Sequence, residues 1–143
     1  MINFLEPVER GVRFYDGNLT TIPPVGSIFV FGGNLAGRHG KGAALHALKH
    51  HGATYGKGVG LQGNSYSIPT KDASLNVLDI AIIDSYIKDF VRFVLRNQQM
   101  HFYVTAVGTG LAGYKHQDIA PLFEGLERCW LPLAWKEFLA VEA

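Results

Sequence analysis

Apolar and polar positions along the chain fall into short apolar runs, each closed by a glycine- or proline-rich break, with one long stretch of helical period between them. Ile28 to Phe31 is an unbroken apolar run that reads as a buried strand. Tyr66-Ser67-Ile68 reads as a second, stopped by Pro69, and Phe102–Val107 as a third, nearly all apolar as expected of a strand covered on both faces. Between the last two, Ile83, Ile87, Phe90, Val91 and Val94 recur at helical spacing, predicting a helix over about Leu78–Arg96 with Asp84, Lys88 and Arg92 on its solvated side. Further helices are expected at Ala43–His51, stopped by Gly52, and at Asp118–Cys129. Val12–Tyr15 suits an edge strand, Leu131–Trp135 a last strand, and Trp135–Val141 a closing helical turn. Gly56 to Gly63 reads as a flexible connection.

Strands alternating with helices define an α/β protein: a three-layer α/β/α arrangement around a mostly parallel central sheet, in one domain spanning residues 1–143. Ligands of such sheets bind beyond the carboxyl ends of the strands. Three segments follow strands here and are expected to meet at one rim: the loop GGNLAGRHGKG from Gly32 to Gly42, Pro69-Thr70-Lys71, and Gly108-Thr109-Gly110-Leu111-Ala112-Gly113. Strand, glycine loop and helix start in that order gather unpaired amides at a helix N-terminus, a place suited to an anion.

Charge sharpens the picture. The net charge of +1 conceals a stretch from Gly17 to Lys71 without a single Asp or Glu, holding Arg38, Lys41, Lys49, Lys57 and Lys71. Eleven of the 17 glycines lie between Gly26 and Gly63. An acid-free, glycine-rich half suggests an anionic ligand, the alternative being chance clustering of charge. The lone Cys129 excludes an internal disulfide framework and a cysteine zinc site, and its aromatic neighbourhood suits a buried thiol. No run approaches the length of a membrane span and the N-terminus lacks a signal pattern, so the expected location is cytoplasmic, with no membrane partner.

Several familiar chemistries fail on spacing. Gly40-Lys41 is followed by Gly42 rather than Ser or Thr, and Leu35 stands where a nucleotide P-loop requires glycine. The GxGxxG at Gly58, Gly60 and Gly63 lacks a preceding strand. That of the second loop has the right context, but no acid follows about 20 residues on to hold a ribose. His46 and His50 stand four apart on a helix with no carboxylate near in sequence to complete a metal set; no metal or cofactor is expected. No Ser/His/Asp signature is present.

Taken together, NLAGRHGKGAA, SIPTKD and VGTGLAGYKHQDIAPLF resemble the macrodomain family across about residues 28–128. The likeness is to the branch of terminal-ADP-ribose glycohydrolases and of antitoxins that remove ADP-ribose from DNA, and more closely to macrodomain-like proteins of phages and bacteria. The resemblance implies a ligand, ADP-ribose or an ADP-ribosylated nucleic acid or protein. It implies that Asn34, beside Gly33 and Gly37, contacts the distal ribose, and that Gly40, Lys41, Gly42 and Ala43 wrap the diphosphate from one side. Gly108, Thr109, Gly110, Leu111, Ala112, Gly113 and Tyr114 would wrap it from the other. Lys71 matches the lysine that breaks the bond between distal ribose and attachment, as an amine can attack an anomeric carbon or stabilise charge there. Two positions depart from the family: Ala112 stands where protein-directed glycohydrolases have an aspartate, and the adenine-binding aspartate has no clean match, Asp16 being nearest. Three functions remain open from the residues: an ADP-ribosyl hydrolase, a module that binds ADP-ribose or a related nucleotide signal without turnover, and, more weakly, a nucleic-acid binder acting through the basic half.

Overall fold

The computed structural model describes residues 5–140. Its elements in chain order are β1 (Val12–Tyr15), β2 (Ile28–Asn34), α1 (Gly42–His50), β3 (Gly60–Gln62), β4 (Ser65–Lys71), α2 (Ile80–Arg96), β5 (Phe102–Val104), α3 (His116–Ile119) and β6 (Cys129–Pro132). The six strands form one sheet in the order β1-β6-β5-β2-β4-β3, parallel throughout except where β3 runs against β4. The protein is thus α/β with a mostly parallel sheet.

Alternation along the strands sends side chains to two cores. Ile28 and Val30 of β2, with Ile68 and Val104, face α2, whose Ile83, Ile87, Phe90 and Val94 are fully buried. Phe29 and Phe31 point to the other face, where Ala44 and Ala47 of α1 cover them with Tyr15, Tyr103 and Trp130. Each fully buried large side chain contributes about 2 kcal/mol. Small alanines on α1 let it approach the sheet closely, which fixes where its N-terminus lies.

Five expectations need correction. Gly56–Gly63 is not merely a flexible connection, since Gly60–Gln62 pairs with Ser65–Ser67 as an antiparallel edge strand. Pro69 does not stop β4, which continues to Lys71; β3 has already ended there, so β4 is an edge on that side and tolerates proline. The helix expected over Asp118–Cys129 is only His116–Ile119 followed by a 3₁₀ turn at Ala120–Phe123. Pro121 lacks the amide a longer helix needs, Gly125 takes φ 85°, and Cys129 already lies in β6 between β1 and β5. The third strand ends at Val104 rather than Val107, and the last strand is Cys129–Pro132 rather than Leu131–Trp135, because after Pro132 the chain winds as a 3₁₀ helix over Leu133–Phe138. Val141, the end of the expected closing turn, lies outside the described residues.

Candidate functional site

The carboxyl ends of the neighbouring strands β5, β2 and β4 open into a cavity of about 780 Å³. Such a volume suits a small-molecule ligand. It also lies where the chain switches direction across the sheet, β4 being added on one side of β2 and β5 on the other. The Gly32–Gly42 loop, Thr70-Lys71 and the Gly108–Ala112 loop all line it. The two glycine loops nearly touch at their roots: a methyl group added to Gly32 would lie 3.4 Å from the Gly108 nitrogen.

The first loop is folded by its own side chain. Asn34 donates from Nδ2 to the Arg38 carbonyl (2.9 Å) and accepts the Arg38 N–H at Oδ1 (3.0 Å). Both ends of the buried carboxamide thus brace the turn, leaving one N–H and one lone pair for a ligand. Gly37 does a different job from the one implied for it. It takes φ 69°, accepts a 2.9 Å hydrogen bond from the Gly56 N–H, and a methyl there would come within 2.3 Å of the Gly56 and Lys57 backbones. It is a packing glycine that docks the loop on the turn bearing Tyr55, and it does not line the cavity. His39, two residues on, is wholly buried, with Nε2 3.0 Å from Gln62 Oε1, and pins the loop from beneath.

Beyond the loop, α1 begins at Gly42, whose φ of 56° turns the chain into the helix. The first amide to find a backbone acceptor is that of Leu45, bonded to the Lys41 carbonyl. No side chain caps the helix and its first turn has no acid. Among the described residues the amides of Gly42, Ala43 and Ala44 are therefore unused by the protein, and all three residues line the cavity. On the second loop Thr109, Gly113 and Tyr114 spend their amides on the carbonyls of Ala106, Gly110 and Gly108, while those of Gly110, Leu111 and Ala112 have no backbone acceptor among the described residues. Two sets of unpaired donors thus border one cavity, with the positive end of a helix dipole behind one of them.

Charge follows the same geometry. Of the five bases in the acid-free half, Arg38, Lys41 and Lys71 line the cavity, and no Asp or Glu does. Among the described residues none of the three has a carboxylate within 4.0 Å. Lys57 is spent elsewhere, donating to the Leu61 carbonyl at 2.7 Å. Lys71 ends β4, half-buried, paired in register with Asn34. Its neighbour Asp72 turns to the loop that follows: Asp72 Oδ1 accepts the N–H groups of Ser74 and Asn76 (2.9 Å each), and the residue does not line the cavity.

Gly33, Asn34, Gly40, Lys41, Gly42, Ala43, Lys71, Gly108, Thr109, Gly110, Leu111 and Ala112 are thus brought to one cavity. Gly113 and Tyr114 are not. Gly113, at φ 82°, closes the second loop, and Tyr114 donates its hydroxyl to the Leu78 carbonyl (2.6 Å) against the core under α2. Asp16 shapes its own turn, accepting from Asn18 N–H and Thr21 Oγ1, which holds its carboxyl below the usual range. The neighbouring Gly17 and Leu19 line the cavity instead. Tyr55 and Leu75, which no sequence pattern singles out, line it too, as does Arg38, legible in the motif only as one base among five.

Three of the six histidines, His46, His50 and His51, cluster toward the other end of α1. His46 and His50 have rings 4.7 Å apart, and His51 stacks on Phe29 at 4.3 Å. Burial, and secondarily the neighbouring imidazoles, push His51 down to about 4. Among the described residues no three His, Cys, Asp or Glu side chains are disposed to hold a metal ion. Cys129 is buried, which raises its thiol far above the usual value. No described helix is long and apolar enough to cross a membrane.

The class defined so far is an α/β fold with an acid-free, amide-rimmed cavity at its switch point. No family model matches the chain, and no curated protein is significantly similar to it. A solved structure described as that of a protein of unknown function from Bacteroides thetaiotaomicron is similar, at TM-score 0.54 and 14% identity, covering 85% of this chain and 97% of that one. At that identity the likeness concerns the fold.

Proposed function

We propose that the cavity binds ADP-ribose or an ADP-ribosyl conjugate and that the protein hydrolyses the bond joining the distal ribose to its attachment on nucleic acid or protein. One observation carries the reading: a cavity lined by Arg38, Lys41 and Lys71 with no carboxylate, bordered on two sides by amides that the protein leaves unpaired. A diphosphate is the group this suits, since it accepts from both loops at once and its two charges find cations without a repelling acid. The resemblance of the three motifs to macrodomains supplies the rest of the ligand. With the diphosphate between the loops, the distal ribose falls toward Asn34 and Lys71, which share a register position on adjacent strands. In this reading Lys71 Nζ acts on the anomeric carbon, as nucleophile or as the charge that steadies a departing attachment. Release of ADP-ribose from modified DNA or modified protein tests this. Lys71→Ala should abolish release, and a variant that cleaves as fast as the parent overturns the mechanism.

The lining itself favours a second reading. Ala112 and the absence of any carboxylate around the cavity leave no general acid or base beside Lys71, an arrangement that suits a module that binds ADP-ribose without turnover. Micromolar binding by calorimetry with no product over hours selects this reading, and Lys71→Ala then weakens affinity instead of ending a reaction.

A further inference from the structure

Two non-glycine residues among those described adopt a left-handed backbone, Arg128 at φ 58° and Leu75 at φ 67°. Arg128 has a visible reason: its guanidinium donates to the carbonyls of Val94, Asn97 and Met100 at 2.6–2.8 Å, tying down the end of α2. Leu75 has no comparable anchor. It lies in the turn that leaves β4, where the Asp72 N–H donates to the Asn76 carbonyl (2.8 Å) and the Leu75 N–H to the Asp72 carbonyl (3.0 Å). Asp72 Oδ1 takes two further amides of the turn, and Lys71 and Val77 close it as a bridge. Glycine or asparagine fits such a position with little strain, whereas leucine costs on the order of 1 kcal/mol or more. Burial does not offset that, because Leu75 stays 43% exposed. Its place is nevertheless specific: it lines the cavity, four residues after Lys71, with Leu111 of the second glycine loop also exposed there.

We infer that Leu75 is a specificity-determining residue, the apolar wall against which the sugar ring at the Lys71 end of the ligand packs. The inference rests on the ADP-ribose reading and adds to it which part of the ligand this turn selects. Strained backbone concentrates at ligand clamps, where the surrounding structure holds it. Here four hydrogen bonds within one short turn do the holding. What leucine adds over glycine or asparagine is an apolar side chain beside the cavity, and the C–H face of a ribose is a surface that such a side chain covers. Covering the exposed half of a leucine is worth about a five- to tenfold gain in affinity.

Calorimetry on the parent, Leu75→Gly and Leu75→Asn, each titrated with ADP-ribose and with ADP, tests this. ADP shares the diphosphate and lacks the terminal ribose. Both replacements adopt φ near +60° readily, so both variants should fold with melting temperatures no lower than the parent's. The expected result is a loss of about five- to tenfold for ADP-ribose in both variants, with ADP affinity unchanged. Equal losses for the two ligands, or no loss, overturn the role given to Leu75 while leaving the ADP-ribose reading standing. A parent that binds neither ligand overturns that reading and this inference with it.

Discussion

Gly37→Ala and Gly40→Ala make the same change three residues apart in one loop, and the structure predicts opposite outcomes. At Gly37 alanine must hold φ 69°, at a cost of about 1–2 kcal/mol. Its methyl would lie 2.3 Å from the Gly56 carbonyl carbon and the Lys57 nitrogen. Backbone on that side has no flexible end to move, so loop and turn must separate. The Gly56 N–H to Gly37 carbonyl bond is then lost, worth about 1 kcal/mol. Alanine recovers about 0.4–1 kcal/mol by restricting the unfolded chain. With the clash added, the net is a destabilisation of about 2–4 kcal/mol. At Gly40 nothing lies within 4 Å of the new methyl and φ is outside the left-handed region, so stability should hold or rise by a few tenths of a kcal/mol. Urea unfolding reads the difference. With a slope of about 2 kcal/mol per M, the Gly37→Ala midpoint should fall by roughly 1–2 M and the Gly40→Ala midpoint should not fall. Binding separates the pair differently, because Gly40 lines the cavity and Gly37 does not: Gly40→Ala should weaken ADP-ribose binding in a fully stable protein. Equal midpoints for the two variants would refute the claim that Gly37 is a packing residue.

Three further outcomes follow from the same geometry. Arg38→Gln and Lys41→Gln remove exposed cations without ion-pair partners among the described residues, so folding stability should be unchanged while ADP-ribose affinity falls roughly five- to tenfold each and its salt dependence flattens. His51 is held neutral in the fold, so the unfolded chain binds the extra proton: stability should be full above about pH 6.5 and decline as pH falls toward about 4, by about 1–2 kcal/mol after allowing for its partial exposure. His51→Phe, which keeps the stack on Phe29, should flatten that decline in pH-dependent thermal unfolding. Arg128→Met leaves three carbonyls at the end of α2 without their charged donor and should destabilise the protein by about 3 kcal/mol in denaturant titration.

The parts legible in the sequence were those where one segment carries its own signal. Apolar period set α2 to within two residues, and the run Ile28–Phe31 located the strand that carries the first loop. The convergence of both glycine loops with Lys71 followed from strand–loop–helix order alone, because parallel strands send their following loops to one rim. What was not legible depends on contacts between segments. Pro69 reads as a strand stop until β3 is seen to end short of it. The stretch Asp118–Cys129 has helical composition, yet Cys129 and Trp130 are claimed by two neighbouring strands. Within the loops, glycine looks the same whether it faces a ligand, as Gly40 and Gly42 face the cavity, or another backbone, as Gly37 does. Tyr55 reaches the rim only through that backbone contact, and Leu75 only through a strained turn, so neither leaves a pattern to read.

A crystal of the protein soaked with ADP-ribose addresses the central claim most directly. The account predicts density for the diphosphate between the amides of Gly42–Ala44 and those of Gly110–Ala112, with the terminal ribose at Lys71. Density for the ligand elsewhere, or a cavity left empty at millimolar ADP-ribose, would contradict it.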